Sequence, residues 1–246
     1  MLAQIIIASL VGSVFALVGG IILLTREVVA RKASLFFVSF AIGALLGAAF
    51  FDLLPEALEA AGDGKNVFIF TLAGILLLFI FEKFLRWYHC HDIEGCEFHS
   101  FSGTILFGDT IHNFIDGVII ALSFSLGTPV GIATTIAIFF HEVPQEIGDF
   151  GVLLHAGYSK SKVLLYNFLT ALTTPVGAIA GYFLIPFIPN AVPILTAFAG
   201  GIFIYIAMSD LMPELHHKGK PEEFTHLLLI ILGLVLLWTI GVMVPE

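Results

Sequence analysis

Apolar residues run along this chain in long unbroken blocks. They do not alternate with polar ones. Eight blocks stand out, at roughly 4–24, 34–58, 67–88, 102–124, 129–155, 162–187, 191–214 and 225–244, and each has the ~20 residues a helix needs to cross the hydrocarbon core of a bilayer. The pattern therefore predicts an all-α membrane protein of eight transmembrane helices joined by short connections. Continuous runs of this length argue against a β-barrel, whose strands alternate lipid-facing and lumen-facing residues. The first block lacks a basic leader and a small-residue cleavage site, so it reads as a span and not as a removed signal. Residues 1–246 read as a single transmembrane domain.

The polar residues orient these spans. Arg26, Arg31 and Lys32 follow the first span, Lys83 and Arg86 the third, Lys160 and Lys162 the fifth, and Lys218 and Lys220 the seventh, whereas the opposite loops contain only Lys65. Basic loops stay in the cytoplasm. Both termini are then expected outside the cytoplasm of a multi-pass protein in the plasma (inner) membrane. Composition agrees, at 59% hydrophobic and 12% charged residues. The net charge of −9 sits largely inside or at the ends of the apolar stretches. That distribution suits a cation path and argues against nucleic acid as a partner.

Internal symmetry sharpens the picture. Asp52-Leu53-Leu54-Pro55-Glu56 closes the second span and Asp210-Leu211-Met212-Pro213-Glu214 the seventh. Phe40-Ala41 matches Phe198-Ala199, and Gly43 matches Gly201, at the same offset. The charge rule runs these two spans in opposite directions. A motif repeated in opposite orientations signals an inverted repeat, spans 1–3 against 6–8, of the kind found in secondary transporters.

The candidate chemistry lies in spans 4 and 5. His112-Asn113-Phe114-Ile115-Asp116 and His141-Glu142-Val143-Pro144-Gln145-Glu146 each place a histidine and a polar group one turn apart. Both histidines fall near the predicted midplane. Ionisable residues at that depth are costly, and the default reading is a substrate or ion pathway. One row of ligands would be His112 and Asp116 with His141 and Gln145; a second would be Asn113 with Glu142 and Glu146. Imidazole with carboxylate suits zinc, iron or manganese better than calcium or magnesium. Pro144 cannot donate to the Phe140 carbonyl, which predicts a kink beside His141.

HNFIDG followed by HEVPQEIGDF resembles the ZIP family of divalent-metal transporters, in the branch marked by a HEXPHE signature in the fifth span. FFDLLPEAL and AGGIFIYIAMSDLMPEL resemble the same family. The resemblance implies eight helices in a 3+2+3 arrangement and a homodimer. It also implies uptake of divalent ions into the cytoplasm by alternating access with an elevator-like motion. By position it makes His112, Asp116, His141 and Gln145 the main metal site and Asn113 and Glu142 an adjacent one. Zinc is the expected cargo, with iron, manganese or cadmium as further candidates, because Gln145 stands where the signature has a second histidine. Thr173-Thr174-Pro175 offers no carboxylate from span 6, which favours a single transported ion.

Other residues have weaker claims. Asp52, Glu56, Asp210 and Glu214 read either as solvated helix ends or as entry and exit ramps. Asp109 continues the His112 face, and Glu146, Asp149 and His155 extend the other; together they outline a candidate pathway. The loop at 89–101, with His89, Cys90, His91, Cys96 and His99, is a candidate cytoplasmic metal-binding segment. Its two cysteines imply no disulfide framework. HEVPQ is one residue from H-E-x-x-H, so an intramembrane zinc metalloprotease is a rival reading, weakened by Gln145 and Pro144. A membrane metal sensor that does not transport is a second rival.

Overall fold

The computed structural model describes residues 1–62, 64–89, 98–188, 191–216 and 223–243, and every regular element among them is helical. Side chains at 30–32, 82, 85–105, 155, 216, 223 and 243 are outside the description, as is the backbone of residues 90–97. The His/Cys loop and the side chain of His155 therefore fall outside it.

Helices occupy all eight apolar blocks. They are α1 (Leu2–Gly12) with α2 (Val18–Thr25), α3 (Glu27–Gly47) with α4 (Leu54–Ala61), α5 (Gly64–His89), α6 (Phe98–Leu126), α7 (Thr128–His155), α8 (Lys160–Ala171) with α9 (Thr173–Leu184), α10 (Val192–Tyr205) with α11 (Met212–His216), and α12 (Glu223–Met243). Among the described residues, six of these segments are long and apolar enough to cross a membrane. The two that are not so classed, α6 and α7, have 29 and 28 residues and carry the polar motifs.

The expected kink site, Pro144, lies inside α7, which is helical on both sides of it without a break. The interruptions lie elsewhere. Ala48–Leu53 and Ile206–Leu211 are π-helical, with Asp52 and Asp210 each at the fifth of six positions. The Leu54 N–H donates to the Ala49 carbonyl and the Met212 N–H to the Ala207 carbonyl, five residues back in both cases. Pro55 and Pro213 follow at once. Each removes a donor from the α-helical ladder, and the wider turn re-registers the chain around that loss. The first and sixth spans are also divided, by a 3-10 turn at Val14–Leu17 and by Leu172 between α8 and α9. Pro175 cannot donate to the Ala171 carbonyl. The Ser13 hydroxyl does so instead, at 2.9 Å, and ties the two interruptions together.

The same construction appears twice in the packing. α3 lies against α12, and α10 against α5. A Cβ on Gly43 would strike the Ile230 carbonyl, and one on Gly201 the Thr71 carbonyl. Reciprocally, Gly233 faces the Phe40 carbonyl and Gly74 the Phe198 carbonyl. Only glycine permits such backbone approach between helices. The α6–α9 contact is built likewise, from Gly117 against Thr174 and Gly177 against Phe114. α6 and α7 sit at the centre, flanked by α1, α3 and α9.

Candidate metal centre

α6 and α7 pack side by side, and the tight connection at Gly127 makes them antiparallel. His112 therefore comes opposite His141, and their Nε2 atoms lie 3.2 Å apart. Asp116, one turn beyond His112, brings Oδ2 to 3.6 Å from the His112 Nε2 and 3.3 Å from the His141 Nε2. Glu142 brings Oε1 to 3.4 Å from each imidazole nitrogen. These four ligand atoms lie within 4.8 Å of one another. Zinc bonds of about 2.0–2.1 Å arranged tetrahedrally set their ligand atoms about 3.3–3.4 Å apart, close to the nitrogen–oxygen and nitrogen–nitrogen separations here.

The electrostatics point the same way. Asp116, His141 and Glu142 are almost wholly buried, and His112 is slightly exposed. Asp116 Oδ2 and Glu142 Oε1 face the two imidazole nitrogens, and Asp116 Oδ1 and Glu142 Oε2 have no hydrogen-bond partner. Two carboxylates buried this deeply are costly unless positive charge meets them, and a divalent ion between them and the imidazoles matches their charge. The His141 Nδ1 donates to the Ala137 carbonyl at 3.2 Å, which turns the Nε2 lone pair toward the group.

A hydrogen-bonded network borders the cluster. Asn113 Nδ2 donates to Asp109 Oδ1 at 2.8 Å, and Gln145 Nε2 donates to the same oxygen at 3.1 Å. The Thr174 hydroxyl donates to Asn113 Oδ1 at 2.7 Å, and the Thr173 hydroxyl reaches the Thr110 carbonyl at 2.9 Å. Glu142, which the sequence pattern puts in the second row, stands among the four clustered groups, and Gln145, which the pattern puts in the first row, donates to Asp109. Thr174 brings no carboxylate, yet its hydroxyl occupies the Asn113 oxygen, a role that turn spacing within one helix does not reveal.

The remaining candidates spread outward. Glu146 is buried with neither oxygen hydrogen-bonded, and Asp149 is half-buried. Asp52 is buried beside a cavity of about 570 Å³ that Glu56, Pro129 and Trp238 also line. Asp210 and Glu214 are exposed, in the part of the fold where α11 meets α3. Asp52, Glu56, Asp210 and Glu214 are not part of the central group.

Fold and site together define a polytopic helical membrane protein with a buried two-histidine, two-carboxylate cluster. A sequence model described as "ZIP Zinc transporter" matches residues 2–103 and 88–241, and the chain belongs to that family. Zinc transporter ZIP13 of Pongo abelii is 33% identical over 217 residues, 81% of this chain and 64% of that protein. Zinc transporter ZIP10 of Homo sapiens is 36% identical over 151 residues, 56% of this chain but 18% of its own length. Metal cation symporter ZIP14 of Bos taurus is 35% identical over 174 residues, 70% of this chain and 35% of that protein. The region compared is thus a minor part of the human and bovine relatives.

Proposed function

We propose that this chain carries divalent transition-metal ions, zinc foremost, across a membrane into the cytoplasm, and that His112, Asp116, His141 and Glu142 hold the ion in transit. The observation that carries the proposal is the cluster of four ligand atoms, buried between two helices at zinc-like spacing. Names that describe the relatives as zinc transporters and metal cation symporters support it. Gln145 and Asn113 complete the polar surroundings and lower the cost of stripping water from the ion. Iron, manganese and cadmium are the further candidate cargoes.

The eight helices cross the bilayer in a 3+2+3 order with both termini outside the cytoplasm, in the plasma (inner) membrane, and the protein works as a homodimer. The twin π segments and twin glycine crossings support spans 1–3 and 6–8 as inverted repeats. Transport proceeds by alternating access, with one bundle moving against the other in the manner of an elevator. The ion leaves past Asp109, Glu146 and Asp149 toward His155 and the His/Cys loop. Asp52 and Glu56 stand at the entry, and Asp210 and Glu214 on the exit side. Histidine and carboxylate must be free of protons to bind metal, so loading the site releases protons. The relatives' names fit a transporter over the metalloprotease reading.

Zinc uptake into proteoliposomes tests this. The native chain shows saturable uptake, and His112→Ala and His141→Ala each abolish it. Stoichiometric zinc binding that needs both histidines, without uptake, would replace the transporter by a sensor or an enzyme.

A further inference from the structure

The Asp109 network constrains more than packing. One carboxylate oxygen, Asp109 Oδ1, receives both the Asn113 and the Gln145 side-chain nitrogens. An oxygen acting as acceptor fixes the orientation of each amide, since the amide must turn its NH2 toward it. The Asn113 oxygen is then taken by the Thr174 hydroxyl. Within this network the Gln145 Oε1 is the remaining amide acceptor. Oxygen and nitrogen diverge from one carbon, so holding the nitrogen on Asp109 holds the oxygen away from it. Gln145 stands one turn beyond His141 on α7, on the face that carries the ligand group.

We propose that Asp109 is a positioning residue of the metal centre: by holding the Gln145 nitrogen it commits the Gln145 oxygen to the ion. The inference rests on the transport-site reading above. With that oxygen the ligand set becomes two imidazoles and three oxygens. Oxygen ligands and coordination above four favour manganese and iron over zinc relative to a plain four-ligand site. Asp109 thereby sets the metal preference without touching the ion. Thr174 plays a different part. It occupies the Asn113 oxygen and leaves the Gln145 orientation to Asp109.

The experiment uses the purified full chain, loaded with Co2+ for absorption spectra and titrated with Zn2+ and Mn2+. The native chain gives a five-coordinate cobalt spectrum, and both Asp109→Leu, which removes the acceptor oxygen, and Gln145→Ala convert it to the more intense four-coordinate form. Asp109→Leu lowers manganese affinity relative to zinc about tenfold, the lower end of what outer partners of metal ligands contribute. In the Gln145→Ala background the same substitution leaves the ratio unchanged. Thr174→Val also leaves it unchanged in the native background. A ratio shift that persists without Gln145, or an equal shift with Thr174→Val, would overturn the proposal and make Asp109 a general brace. Should Asp109→Leu not fold, the cobalt spectra of the native chain and Gln145→Ala decide: identical four-coordinate spectra would remove Gln145 from the ion and end the proposal. Metal binding indifferent to His112 and His141 would instead sink the transport-site reading itself.

Discussion

The α6–α7 pair is two different materials on either side of its histidines. Toward the Gly127 connection, Ile119, Ile120, Ala121, Leu122 and Phe124 pack against Val130, Ala133, Ala137 and Ile138, all buried. The Thr134–Ser123 hydroxyl pair interrupts this layer. Away from the connection the same helices present Asp109, Asn113, Gln145, Glu146 and Asp149, with Asp109 Oδ2 and both Glu146 oxygens lacking hydrogen bonds. The His112–His141 cluster thus has polar residues on one side and a buried apolar plug on the other. Moving an ion through such a plug would strip it of every compensating charge. On the transport reading proposed above, exposing the site to the sealed side requires the helices to shift against their neighbours, which favours alternating access over an open pore.

The largest test of this asymmetry is at the boundary itself. His112→Ala and His141→Ala each cut zinc affinity by at least about 100-fold, the upper end of what even outer partners of metal ligands contribute; isothermal titration of the purified chain reads it. Accessibility comes next. In a Cys90→Ser/Cys96→Ser background, Asp149→Cys reacts with a membrane-impermeant thiol reagent supplied from the side of the basic loops. Ala137→Cys does not react from either side. Equal labelling of the two would erase the distinction. A third test weighs packing: Ile120→Ala leaves a cavity in the plug and lowers stability by about 2–5 kcal/mol, measured by thermal unfolding in detergent. Gln145→Ala, half-buried in the polar half, changes stability by less and metal preference by more.

Much of this is legible in the sequence for a physical reason. Apolar block length reports helices directly, and the turn spacing of His112 with Asp116 by itself places two ligands on one helix face. The DLLPE and DLMPE matches mark the two regions that are π-helical, although nothing in the letters says π. Pro55 and Pro213 are visible signals, but a proline only announces a lost donor; whether the chain kinks, breaks or widens depends on what packs around it. Pro144 makes the point in reverse, since α7 passes through it as one helix. The partners of Glu142 and Gln145 are not legible either. Glu142 approaches both imidazoles, while Gln145 donates to Asp109, a residue one turn before Asn113 on a different helix.

The smallest test lies inside the plug. Thr134 donates to Ser123 at 3.0 Å, and both are fully buried. Thr134→Val removes one partner and leaves the Ser123 hydroxyl without its donor, at a cost of about 1–3 kcal/mol. Adding Ser123→Ala removes the second polar group as well, and the double variant recovers most of that loss because an apolar pair of similar shape suits a dry layer. Zinc affinity stays at the native level in both, since neither residue belongs to the ligand group. A double variant no more stable than the single one would mean that the hydroxyls meet water, and that the plug is wetter than its neighbours Ala133 and Ile138 imply.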